Sequence, residues 1–406
     1  MLEGIRVLDV SGLVPGPYAT LLLADLGAEV IKVETPLGDL ARQSPPELAG
    51  HGAWFLSLNR NKQSIGLDLK KPGGRRLFLD LARRADVVVE SFRPGRAERL
   101  GIGRDDLLGA NPRLVYCALS GFGQTGPDSG RAGHDLTYLA RSGALGLNAR
   151  AGEPPVPPPV QIADLAGATN AAVGILAALV ARERTGRGAV LDISMLESAM
   201  AWMGPHFAAH QAGMRAEAGE MPLAGRYPFY DVYRTADGGH VALAALEPLF
   251  WRDFCLAVER EDLVGLQFAA GAGRARLRAE LEGLFAGRPS AEWAALFRAR
   301  DLPAEVVAGV DAVLADGQLA ARGALVSVAH PEPGGPALVL PACPVRALPP
   351  DVRPPRPPPH LGADTRRVLA EVLDLGPAEI DNLFALRVVF GPAEASPRRI
   401  APLGLQ

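Results

Sequence analysis

The chain has 406 residues and a mass of 42.7 kDa, too long for one simple core at ~100–200 residues per domain. Hydrophobic residues make up 48% and charged residues 21%, which excludes a wholly disordered chain; 46 Gly and 36 Pro without a G-X-Y period exclude collagen. A net charge of −3 and a pI near 6.2 exclude a general nucleic-acid binder.

Cys117, Cys255 and Cys343 form no CxxC pair and no even framework, so a reduced cytoplasmic setting is expected and a structural zinc site is not. The opening Met1-Leu-Glu-Gly-Ile-Arg6 carries an acid at once and runs into a strand, unlike a signal peptide. The longest apolar run, residues 171–181, falls short of the ~20 residues of a bilayer span, so no membrane association is expected.

Residues 5–10 read as a buried strand, 11–17 as a turn, 18–26 as a helix capped by Gly27, and 29–34 as a second strand. The alternation continues with a helix over 73–84, strands at 86–90 and 113–119, a long apolar helix over 164–182 and a strand at 189–194. Strands alternating with helices predict a parallel sheet covered on both faces. Beyond residue 195 the character changes. Residues 203–224 read as an extended connector, 229–235 and 240–245 as a hairpin, and 250–258, 274–286 and 291–298 as helices. The Pro-rich stretch 348–360 reads as a second connector, and 361–386 returns to helical periodicity. The expectation is an α/β fold with a large Rossmann-like domain (1–197), a linker (198–224), a small α+β domain (225–330), and a second linker returning to the large domain (331–406).

Gly121-Phe-Gly-Gln-Thr-Gly126 fits GxGxxG after a strand, yet Pro127-Asp-Ser-Gly130 follows as a turn where a dinucleotide site needs a helix N-terminus, so NAD is rejected. His206 and His210 stand four apart, but Phe207 fills the place of the base in HExxH, so they read as connector histidines. No GxSxG and no P-loop occur, and neither a metal nor a further cofactor is expected.

Two clusters carry more. The first is basic: Asn59-Arg-Asn-Lys62, then Lys70, Lys71, Arg75 and Arg76, then Ser91-Phe-Arg-Pro-Gly95 directly after a buried strand. That last loop falls at the carboxyl edge of an open α/β sheet, where ligands bind; a Phe to stack on a base and an Arg to pair with phosphate suit an anionic, nucleotide-like group. Only Lys32, Lys62, Lys70 and Lys71 are lysine among 42 Lys and Arg, and their crowding into the first 71 residues fits a pocket that needs a compact ammonium. The second cluster is Gly133-His134-Asp135 with Asp164 at the start of the long helix, where Asp164 also reads as an N-cap.

In these motifs the chain resembles the class III CoA-transferase family, which includes the α-methylacyl-CoA racemases. Gly4-Ile-Arg-Val-Leu-Asp9, Pro15-Gly-Pro17, residues 23–34, residues 59–70, Phe92-Arg-Pro-Gly95 and Gly121 to Pro127 follow in family order. The resemblance implies a CoA thioester ligand held by Arg42, Asn59, Arg60, Lys62, Phe92, Arg93 and Gly95, with no cofactor beyond the CoA moiety. It implies that Asp164 is catalytic, and that its pairing with His134 marks the racemase branch, with Glu247 and Asp135 orienting the imidazole. In the transferase branch Asp164 is instead a nucleophile. Racemases often carry Asn four residues before that aspartate; here the position is Val160. An interlaced homodimer is implied as well. Chemically, inverting a 2-methylacyl-CoA centre needs a base and an acid on opposite faces, here His134 for the (S) face and Asp164 for the (R) face. Free N–H groups at the start of the Asp164 helix are the expected donors to the enolate oxygen.

Overall fold

The computed structural model describes residues 1–346 and 354–393. Residues 348–353 of the expected Pro-rich connector lie outside them. The described chain forms two compact units.

The first unit contains Met1–Ser142, Pro159–Trp202 and the described residues from Gly317 on. Its elements begin β1 (Arg6–Asp9), α1 (Pro15–Asp25), β2 (Glu29–Glu34), β3 (Lys62–Leu67), α2 (Pro72–Arg83), β4 (Val87–Glu90) and β5 (Val115–Ser120). Then come α3 (Asp135–Ser142), α4 (Ile162–Thr185), β6 (Ala189–Ser194) and α5 (Met195–Ala201). These six strands pair in parallel, with Val7 opposite both Val30 and Val87. Val7, Leu8, Val30, Ile31 and Val87 are 0% exposed, as expected where both faces of a parallel sheet are covered.

The 24-residue helix α4 joins the parallel neighbours β5 and β6, so it is a crossover helix and begins at the edge where β5 ends. It is long and apolar enough to cross a membrane, unlike the shorter run read from the sequence. In this unit it packs on α1, β5 and β6, with Ala163, Ala166, Ala168, Ala171 and Ile175 fully buried.

The second unit takes Gly143–Pro158 and Met203–Asp316. Its longer segment opens with α6 (Gly204–Gln211), inside the stretch expected to be an extended connector. The hairpin β7 (Tyr230–Arg234) and β8 (His240–Ala244) adds β9 (Ala304–Val306) as an antiparallel third strand. Helices α7 (Pro248–Ala257), α8 (Ala272–Ala286) and α9 (Ser290–Arg300) bring Trp251, Phe254, Phe285 and Trp293 into one aromatic core with Phe229 and Tyr233.

The chain leaves this unit at Asp316, earlier than the expected boundary at 330. Back in the first unit it forms the hairpin β10 (Leu325–Val328) and β11 (Leu338–Pro341), then α10 (Thr365–Leu373), α11 (Pro377–Ala385) and β12 (Val389–Phe390). β12 runs antiparallel along β3, so the sheet order is β12-β3-β2-β1-β4-β5-β6. The order reverses between β1 and β4, which opens a crevice at their carboxyl ends.

Candidate active site

The first unit gathers its chemistry at that crevice. Gly12, just beyond β1, donates its N–H to the Ser91 hydroxyl just beyond β4 at 3.2 Å. After β5 the Gly121–Gly126 loop turns without opening a helix, as its proline predicted, and Gln124 N–H bonds the Asp192 carboxylate of β6 at 3.0 Å.

Asp135 links the two expected catalytic groups. It follows His134 in the chain, and its Oδ1 accepts the N–H groups of Ala163 (2.7 Å) and Asp164 (3.0 Å). This corrects two expectations. Asp164 is not the N-cap, because α4 starts at Ile162 and Asp135 caps it from another segment. Two of the helix-end donors expected to hold the enolate oxygen are already occupied by the Asp135 carboxylate. His134 is exposed, and its carbonyl accepts the N–H of Thr137 at 2.8 Å where α3 starts.

The Asp164 side chain makes no hydrogen bond among the described residues. Burial, with the nearby Asp135 charge adding to it, raises its carboxyl to about 7. A helix N-terminus ordinarily holds a carboxylate low; here the Asp135 carboxylate sits on that positive end and offsets it. Val160, in place of the frequent asparagine, is 51% exposed just ahead of the helix.

The basic cluster divides. Lys62 is fully buried with its ammonium on Asp9 (3.2 Å), the Pro17 carbonyl (2.9 Å) and Asn59 Oδ1 (2.9 Å). Asn59 donates to the Phe55 carbonyl at 3.0 Å, and Arg60 grips Asp25 through two bonds of 3.1 and 2.6 Å. Arg42 forks onto Glu34 at 2.7 and 2.8 Å and covers the Phe55 ring. Lys32 is 0% exposed beside Asp39, and Lys71 donates to the carbonyls of Leu386 and Arg387. These groups brace the fold, which corrects the reading of Lys32, Lys62, Lys71, Arg42, Asn59 and Arg60 as groups free for a phosphate pocket; Lys70 is exposed. Phe92 is half-buried on the core with Arg96 over its ring at 5.3 Å, so the expected stacking face is covered. Arg93 remains exposed at the crevice, and Gly95 takes φ +80° to turn the loop into the next helix.

Sequence reading missed two residues here. Tyr138 is 5% exposed, and its hydroxyl is raised to about 12 by burial and by the Asp164 charge, against the pull of Arg93. Its ring lies so close to Gly121 and Gly133 that a Cβ on either would come within 2.4 Å of it. Gly133→Ala is therefore expected to lose on the order of 1–3 kcal/mol by overpacking and to displace His134; a urea melt as stable as the parent's would refute this. Glu90, at the carboxyl end of β4, accepts Phe92 N–H at 2.6 Å and the Tyr116 hydroxyl at 3.1 Å, and burial raises it to about 7. Its signal was available, as an acid closing the apolar run Val87-Val-Val. Glu247 belongs to the second unit, exposed at the N-cap of α7.

A mostly parallel α/β unit with these loops at its carboxyl edge is the architecture of a ligand-binding open-sheet protein. The chain belongs to CoA-transferase family III, whose profile matches residues 2–365. It is 33% identical over 395 residues to the succinyl-CoA:glutarate CoA-transferase of Mus musculus, covering 96% of this chain and 90% of that one. It is 38% identical over 305 residues to the alpha-methylacyl-CoA racemase of the same species, covering 74% and 76%. Among solved structures, a CaiB/BaiF family protein from Brucella suis aligns with a TM-score of 0.79 at 28% identity, over 91% of this chain and 98% of that one.

Proposed function

We propose that this protein is an α-methylacyl-CoA racemase, interconverting (R)- and (S)-2-methylacyl-CoA through an enolate. The observation that carries the reading is the Asp164 carboxyl, half-buried, without a hydrogen-bond partner among the described residues and titrating near 7 beside the Gly133-His134-Asp135 turn. A group that gains and loses a proton near neutral pH suits acid–base exchange. A transferase nucleophile needs that carboxylate charged, a form that burial disfavours. His134 and Asp164 then serve opposite faces of the α-carbon, with Arg93 offering the phosphates an exposed cation.

The test is α-proton exchange of a single-enantiomer 2-methylacyl-CoA in deuterated water without free acid. Deuterium at the α-carbon with loss of optical purity supports the reading. Replacing His134 by Ala is expected to slow exchange from the (S) substrate more than from the (R) substrate; equal losses would sink the division of faces.

A second reading, a CoA-transferase with Asp164 as nucleophile, is favoured by the fuller coverage of the glutarate transferase relatives. It predicts no exchange, CoA transfer once a carboxylic acid is added, and tolerance of His134 loss.

The homodimer belongs to this proposal. The edge strand β6 exposes Val190, α4 exposes Val173 and Val180, and Met200 and Trp202 lie exposed beyond them, an apolar surface of the kind a second chain covers. A concentration-independent monomer in sedimentation would overturn it.

A further inference from the structure

The geometry points to a divalent transition-metal site, best suited to zinc, formed by His51, Glu332 and His360 in the first unit. Three of the chain's 7 histidines meet here, brought from segments about 280 and 30 residues apart. His51 follows the short hairpin strand Glu47–Leu48, Glu332 follows β10, and His360 ends the segment leading to α10.

One nitrogen of each of these two imidazoles and a carboxylate oxygen lie within 4.8 Å of one another. His51 Nε2 stands 3.0 Å from Glu332 Oε1, and His360 Nδ1 stands 3.8 Å from the same oxygen. Ligands ~2.0–2.1 Å from a tetrahedral zinc are separated by roughly 3.3 Å, so small side-chain adjustments close the set. Two imidazoles and one carboxylate with a further position for water are a donor set zinc takes readily.

The surrounding bonds select the ligating atoms. His360 Nε2 donates to the Pro331 carbonyl at 3.2 Å, which places the proton there and leaves the Nδ1 lone pair toward Glu332. A lone pair facing a carboxylate oxygen is repelled by it, and a cation between them relieves that repulsion. His330 is excluded as a ligand. Its Nδ1 accepts Glu332 N–H at 3.1 Å, its Nε2 bonds the Leu48 carbonyl at 3.2 Å, and its ring braces His51 edge-on at 5.3 Å. Each neighbour therefore positions a ligand without competing for the ion.

The site would act as a clip. Arg42 Nη1 donates to the carbonyl of Pro359, the residue before His360, at 3.0 Å. An ion on His51, Glu332 and His360 ties the Arg42 loop to the returning chain, far in sequence and outside the acid–base chemistry proposed for Asp164.

The test is titration of the full-length, chelator-treated protein with Co2+ at pH 7.5–8, read by its d–d absorption, with Zn2+ titrated by calorimetry. The expected result is one saturable ion per chain, at least tenfold weaker in Glu332→Gln and in His360→Ala and unchanged in the His206→Ala/His210→Ala double variant. Zn2+ should also raise the melting temperature of the parent by a few degrees and leave Glu332→Gln unmoved. Glu332 and His360 side chains are 48% and 38% exposed, so both variants should keep the parent's circular dichroism. Absence of saturable binding, binding that survives in Glu332→Gln and His360→Ala, or binding lost in the His206/His210 variant would each overturn the proposal.

Discussion

Asp164→Asn is expected to remove α-proton exchange almost entirely, by about 10²–10⁴-fold, while making the protein harder to unfold at neutral pH. The two effects share one cause. Unfolded, the carboxyl titrates near its ordinary 3.8; folded, burial and the neighbouring Asp135 hold it at about 7. Between those values the folded state keeps a proton the unfolded state has released, so stability falls as pH rises from about 4 to 7 and is level above. The full difference is on the order of 2–4 kcal/mol, and Asn, which carries no charge at any pH, escapes it. Urea unfolding of parent and variant from pH 4 to 8 measures the gap, which should widen through that window. A constant gap, or a pH–rate profile without a limb near 7, would show that Asp164 is an ordinary surface carboxylate.

Asp9→Asn is expected to destabilise the first unit by on the order of 3–5 kcal/mol. Asp9 is 0% exposed and ends β1 at the crevice. Burial alone would raise its carboxyl, but Lys32 and Lys62, with hydrogen bonds from Ser11 and Thr20, hold it well below the usual range. It thus ties the loop after β1, helix α1 and strand β3 to one point. Without its charge Lys32 keeps Asp39 at 2.9 Å, whereas Lys62 keeps only uncharged acceptors. Lys62 already titrates at about 8, lowered from 10.5 chiefly by burial, and loss of Asp9 lowers it further. The folded variant then binds fewer protons than the unfolded chain, so its stability should recover as pH rises from 6 toward 10. Adding Lys62→Met should restore most of the loss, since it removes the stranded charge. If the single and double variants melt alike, the pair is not the anchor described.

Part of this was legible without coordinates. The strands Glu29–Glu34 and Ala189–Ser194 fall where the sequence placed them: the first is buried on both faces inside the sheet, and the second alternates apolar and polar residues as a half-buried edge strand does. Strand β3 escaped notice because Lys62-Gln-Ser-Ile-Gly-Leu67 opens with polar residues, although all six are buried. Several of its polar groups find partners far away: Ser64 N–H reaches Asp364 at 2.9 Å, Ser64 Oγ reaches Glu34 at 2.6 Å, and Gly66 N–H reaches Thr365 Oγ1 at 2.9 Å. No local pattern carries that information. The same blindness makes buried lysines read as a phosphate pocket.

The sequence by itself determined the alternating α/β layer and the family. Such features are written in residues a few positions apart, through periodicity and motif spacing. Only the tertiary structure decided that Lys32 and Lys62 are internal, that Asp135 caps the Asp164 helix, and that His51, Glu332 and His360 converge. The reason is physical: a charge takes its role from its solvent exposure and its nearest opposite charge or donor. Both are set by the order in which the sheet brings distant segments together.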